Sequence, residues 1–185
     1  MGNELIRLVT ESAEDTRQMA AALAELARPG DVLLLIGDLG AGKTTFAQGF
    51  GRGLGVAEPI TSPTFVLLRQ YAGRIDLLHA DMYRLDRVAE VVDLGLPELL
   101  DDGCVALVEW GEMAAPALAP DYLEVRIDPV WAADESGDDP GGGSGGGSGD
   151  GKRQIELRPL GHGWQGRWMD LELAIDRWRS PGPPP

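Results

Sequence analysis

The segment that most restricts what this chain can become is Gly37-Asp38-Leu39-Gly40-Ala41-Gly42-Lys43-Thr44, which fits G-x-x-x-x-G-K-[ST] and follows the apolar run Val32 to Ile36. A strand leading into such a segment, with a helix leaving it, is the setting of a phosphate-binding loop. Its glycines let the main chain turn with positive φ and bring successive N–H groups against a polyphosphate, where a side chain would collide. Lys43 adds a point charge for β- and γ-phosphate oxygens, Thr44 offers a hydroxyl to Mg²⁺, and Thr45 can reach the α-phosphate. The helix beginning there directs its positive end at the same anion. Asp38, Leu39, Gly40, Ala41 and Gly42 are therefore expected to line a bound nucleotide together with Lys43, Thr44 and Thr45. A glycine-rich turn that fits by accident is the competing explanation, and the flanking strand and helix count against it.

Val32 to Ile36 is a continuous apolar run, the pattern of a strand buried on both faces, which implies a parallel central sheet. The expected fold is α/β: a P-loop NTPase with a central, mostly parallel sheet flanked by antiparallel strands, and helices on both faces. Leu5 to Val9 reads as a first strand. Ser12, with Asp15 three residues on, then signals the start of a helix striped by Met19, Leu23 and Leu26. The Thr10 hydroxyl near that start could cap the helix or touch the nucleotide. The helix after the loop carries Phe46, Ala47 and Phe50 and loses definition at Gly51, Gly53 and Gly55. Phe65 to Gln70 and Arg74 to His79 read as a hairpin turning at Ala72-Gly73, and Val105 to Val108 as another buried strand. Tyr122 to Ile127 alternates like an outer strand, with Ile155 to Leu157 as its partner.

At 185 residues the chain has the length of one domain. A P-loop ATPase domain is expected over residues 1–160, with a flexible Gly/Ser-rich insertion at 135–151. Residues 161–180 form an amphipathic extension, with Trp164, Trp168, Leu171, Ile175 and Trp178 on one helical face, and 181–185 a Pro-rich tail. The extension packs on its own domain or presents a surface to a partner.

Cys104, the single cysteine, rules out a disulfide framework and reads as a buried, inert thiol. No stretch of 18 apolar residues occurs, so a cytoplasmic protein without a membrane association is expected. The net charge of -14 is concentrated: residues 86–139 hold 15 acids against two bases. Such a field argues against a broad grip on nucleic acid. A solvated acidic face and a surface for a basic protein partner both fit it.

A phosphate-binding loop needs an acid at the end of a second strand to serve Mg²⁺. Asp81 and Glu109 each follow an apolar strand, and Glu109 follows the more apolar one. Glu109 is therefore assigned to Mg²⁺ beside Thr44, and Asp81 to the attacking water, with the reverse assignment left open. Lys43 completes the catalytic set; His79 reads equally as a buried structural histidine. Asn3 is the only asparagine, so the Asn-Lys-x-Asp signature that reads guanine is absent and ATP is preferred. A metabolite kinase and a non-hydrolysing nucleotide sensor are the alternatives to an ATPase.

Four motifs in series carry a family resemblance: the loop Gly37 to Phe46, then Ser62-Pro63-Thr64-Phe65, then His79-Ala80-Asp81-Met82-Tyr83-Arg84-Leu85, then Val108-Glu109-Trp110. With them the chain resembles the TsaE (YjeE) family, bacterial ATPases of tRNA threonylcarbamoyladenosine biosynthesis, over about residues 5–130 and again near Arg153. The resemblance implies a cytoplasmic ATPase that uses ATP and Mg²⁺. It also implies TsaB and TsaD proteins as partners, and support for repeated threonylcarbamoyl transfer to adenosine 37 of tRNAs reading ANN codons. By the same resemblance Thr44 and Glu109 match Mg²⁺ positions, and Asp81 and Trp110 match positions needed for activity. Thr64 and Tyr83 fall in switch-like or partner-coupled segments with Trp110, and Arg153 lies against the nucleotide. Tight binding of tRNA by this subunit alone is not expected.

Overall fold

The computed structural model describes residues 5–63, 67–82, 95–110, 121–130 and 151–180. Thr64, Tyr83, nearly all of the Gly/Ser-rich insertion and the tail at 181–185 lie outside those residues.

The strands are β1 (Ile6–Thr10), β2 (Val32–Ile36), β3 (Leu68–Tyr71), β4 (Leu77–Asp81), β5 (Val105–Glu109), β6 (Tyr122–Pro129) and β7 (Arg153–Leu160). They form one sheet in the order β1-β7-β6-β2-β5-β4-β3. Its centre is parallel, β6 with β2, β2 with β5 and β5 with β4, while β7 and β3 run antiparallel to their neighbours. All five residues of β2, β4 and β5 are buried, as their unbroken apolar runs require.

Among the described residues four α-helices accompany the sheet: α1 (Ala13–Ala24), α2 (Lys43–Gly53), α3 (Leu96–Asp101) and α4 (Trp168–Ile175). The Ser12 hydroxyl caps α1, accepting a hydrogen bond from the Asp15 N–H at 3.0 Å, and the Asp15 carboxylate returns to the Glu11 N–H. Alternation within the strands divides the core in two. Leu33, Leu35, Leu77, Val105, Leu107, Leu123 and Val125 meet α1, α2 and the C-terminal segment on one face. Leu34, Leu78, Ala106 and Val108 meet Leu96 and Leu100 of α3 on the other.

Several sequence expectations change here. The first strand lies one residue later than Leu5 to Val9. The hairpin turn spans Ala72 to Asp76 rather than two residues, because β4 begins only at Leu77. Tyr122 to Ile127 is not an outer strand: β6 pairs with central β2 and is covered by β7, and β1 is the edge. Its alternation arises because Leu123, Val125 and Ile127 face the helices while its other face carries polar, partly exposed side chains. α2 persists to Gly53 because its glycines are packing positions. A Cβ on Gly49 or Gly53 would overlap the carbonyl of Arg17 or Ala21 in α1.

The C-terminal stripe is not one helix. A 3₁₀ turn at Gln165–Arg167, then α4, then a second 3₁₀ turn at Asp176–Trp178 together bury Trp164, Trp168, Leu171, Ile175 and Trp178. All five join the core on the α1 face. Arg167 locks the segment in place with paired bonds to Asp31 at 2.8 and 2.6 Å, and Trp178 Nε1 donates to Asp15 at 2.7 Å. No helix among the described residues is long and apolar enough to cross a membrane.

Candidate functional site

At the C-terminal ends of β2, β4 and β5, where open α/β sheets gather ligands, lies a cavity of about 490 Å³. Leu39, Gly40, Gly42, Lys43, Thr44 and Thr45 line it from the glycine-rich loop and α2. Ser62, Asp81, Glu109, Trp110 and Arg153 complete it from the other sides. The volume falls within the roughly 300–1,000 Å³ of small-molecule sites.

The loop joins strand and helix by a main-chain path only glycine follows easily: Gly40 has φ +82° and Gly42, just before α2, φ +118°. Lys43 is buried and donates to the carbonyls of Gly37 at 2.7 Å and Asp38 at 3.0 Å, with its Nζ 4.3 Å from the centre of the Trp110 ring. Trp110 itself has φ +58°, unusual for a residue with a large side chain. Strain of this kind concentrates at functional positions.

Asp81 and Glu109 end neighbouring parallel strands and stand directly across from each other. By alternation with Leu77 and Leu107 they point to the face that α2 covers, which brings both to the loop. The Glu109 carboxylate is 5% exposed and accepts a 2.8 Å hydrogen bond from Nε2 of His79, which is fully buried on β4.

Opposite the carboxylates, Arg153 at the start of β7 donates from Nε to the Ala41 carbonyl at 3.0 Å and from Nη1 to the Gly151 carbonyl. Burial, and then the nearby charge of Arg17, lower its pKa from the ordinary guanidinium value. No carboxylate among the described residues forms an ion pair with Arg153. A half-buried guanidinium lining a cavity, with no ion pair among the described residues, is suited to an anion.

The donor set is all oxygen: the Thr44 hydroxyl and two carboxylates, with no cluster of three His, Cys, Asp or Glu among the described residues to hold a metal by themselves. That combination suits Mg²⁺, which takes one or two protein oxygens and fills its octahedron with phosphate oxygens and water. The backbone donors, Lys43 and Arg153 on one side and this acidic pair on the other can hold a polyphosphate with its divalent ion.

Most residues singled out from the sequence meet at this cavity. Asp38 is exposed and Ala41 buried; they take part through carbonyls that accept from Lys43 and Arg153. Thr10 does not reach the cavity and does not cap α1; its buried hydroxyl shares a 2.8 Å bond with Thr16. Two features escaped sequence reasoning, the His79–Glu109 bond and the packing of Lys43 on Trp110. The only available signal for the first was that His79 precedes Asp81 by two, the spacing that puts both on one face of a strand.

A family model described as threonylcarbamoyl adenosine biosynthesis protein TsaE matches residues 10–134. A Bacillus subtilis protein named tRNA threonylcarbamoyladenosine biosynthesis protein TsaE is 44% identical over 119 residues, covering 64% of this chain and 74% of the relative. A Streptomyces coelicolor protein of the same name is 47% identical over 116 residues, covering 60% and 78%. The crystal structure of Bacillus subtilis YdiB is similar with a TM-score of 0.69 and 31% identity, covering 96% of this chain and 97% of that one.

Proposed function

Because the chain belongs to the TsaE family, we propose that it is the ATPase component of the machinery that forms N6-threonylcarbamoyladenosine at position 37 of tRNA. In this role it binds and hydrolyses ATP with Mg²⁺ to support turnover of a TsaB–TsaD complex in the cytoplasm. The names carried by its relatives support the pathway. The observation that supports the chemistry is the convergence on one cavity of the glycine-rich loop, Lys43, Thr44, Arg153 and the two strand-end carboxylates.

Under this reading the main-chain amides at Gly40 and Gly42 and the α2 N-terminus receive the β-phosphate, with Lys43 and Arg153 adding positive charge. Thr45 lies against the α-phosphate. Thr44 and Glu109 would hold Mg²⁺, which would supply neutralisation of the polyphosphate charge. Asp81, one strand over, orients the attacking water. Holding these groups in place before reaction is the main protein contribution to phosphoryl transfer, where positioning and electrostatics dominate.

Two measurements test the reading. Phosphate release from ATP, followed with and without TsaB and TsaD, should be slow alone and rise in their presence. Transfer of the label to a metabolite would instead make the protein a kinase, and nucleotide binding without release would make it a sensor. Lys43→Ala should abolish nucleotide binding, while Glu109→Ala should keep it and lose Mg²⁺-dependent hydrolysis. Unchanged hydrolysis in Glu109→Ala would take the metal away from that carboxylate.

A further inference from the structure

His79 has no place in the chemistry above, yet its geometry is specific. The ring is fully buried on β4, two residues before Asp81 and on the same face. Its Nε2 sits 2.8 Å from Glu109 Oε1. A carboxylate oxygen accepts, so the ring donates from Nε2. Nδ1 finds no partner among the described residues. A buried, unpartnered nitrogen is unfavourable, and an apolar side chain would fill the same space without one. The arrangement is explained by the bond that Nε2 makes.

That bond fixes one of the two facing carboxylates. Asp81 and Glu109 are cross-strand partners at one cavity, and both bring a carboxylate to it. With Oε1 held by His79, Glu109 keeps one oxygen for the cavity and loses the freedom to rotate. A single fixed oxygen is what Mg²⁺ accepts, whereas a freely turning carboxylate can chelate with both oxygens and favours a larger, more loosely coordinated ion. We propose that His79 is a positioning residue that fixes Glu109 as a one-oxygen magnesium ligand. This rests on the magnesium–nucleotide reading of the site.

The test uses manganese as a spectroscopic probe. Binding of Mn²⁺ to the full chain in the presence of ADP is followed by electron paramagnetic resonance, alongside ADP affinity in metal-free buffer and the thermal unfolding profile. His79→Leu should weaken Mn²⁺ binding about 10- to 100-fold, the usual effect of removing a hydrogen-bond partner from a metal ligand, and leave metal-free ADP affinity unchanged. His79→Gln, whose amide nitrogen reaches the position of Nε2, should recover most of the loss. If leucine does not fold, His79→Asn, whose amide stops short of Glu109, takes its place and should show the same weakening. In a Glu109→Gln background the substitution at His79 should cause no further loss, since both act through one carboxylate. Unchanged Mn²⁺ affinity, equal loss of metal-dependent and metal-free binding, or an additive loss in the Glu109→Gln background would each overturn the proposal. Failure of the unaltered protein to bind ADP at all would instead overturn the magnesium–nucleotide reading beneath it, a result the variants are not needed to recognise.

Discussion

At Gly42 the loop has no room for a side chain. Its φ of +118° is strained for any other residue, and a Cβ there would overlap Nε of Arg153. Gly42→Ala should therefore displace Arg153 from the Ala41 carbonyl and lower stability by about 1–3 kcal/mol. Urea unfolding should show the loss and calorimetry a parallel fall in nucleotide affinity. Cys104 gives the opposite case, a residue the chemistry leaves alone. Burial, aided by the charges of Asp76 and Asp102, raises its thiol pKa. The folded state thus holds the neutral thiol more tightly, so its stabilising contribution is complete below the ordinary thiol pKa of about 8.5 and fades as pH rises beyond it. Alkylation at neutral pH should be slow in the native protein and fast in denaturant; equal rates would show the thiol to be accessible. That the loop and both acids meet at one cavity was legible because a glycine-rich turn after one apolar strand and an acid after each of two others are local patterns. His79 was not, because a buried histidine looks the same in sequence whether it fills space or holds a carboxylate.

The C-terminal segment turns packing into a constraint on the start of β2. Arg167 is 4% exposed and ties this segment to Asp31, which immediately precedes the strand that delivers the glycine-rich loop. Removing one partner of a buried pair leaves the other charge uncompensated. Arg167→Ala should therefore cost about 3–5 kcal/mol, read as a shift in the urea midpoint. A shift below about 1 kcal/mol would class the pair with ordinary surface contacts. The spacing of Trp164, Trp168, Leu171, Ile175 and Trp178 announced one apolar face, and all five are buried. It could not announce that two 3₁₀ turns interrupt the helix, since a stripe at steps of three and four suits either kind of turn. The same limit explains α2, whose glycines read as a fading helix until α1 is seen lying against them.

Over the whole molecule, a net charge of -14 sets the character of encounters with other macromolecules. The purified protein should bind tRNA weakly or not at all in a filter or fluorescence assay, and tight binding that falls steeply with added salt would overturn that expectation. The glycine-rich loop, the buried strands and the two acids at their ends could be read from local sequence, because a tight turn between strand and helix and a doubly covered strand each admit few residue types. Strand order, the placement of β6 inside the sheet and the meeting of Arg153 with Ala41 across 112 residues of chain were decided only by tertiary structure. Those depend on which apolar faces cover which, a choice made by the whole core at once and written in no single stretch of it. The bond between His79 and Glu109 belongs to the same class, since only the sheet register brings the histidine of one strand to the carboxylate at the end of the next.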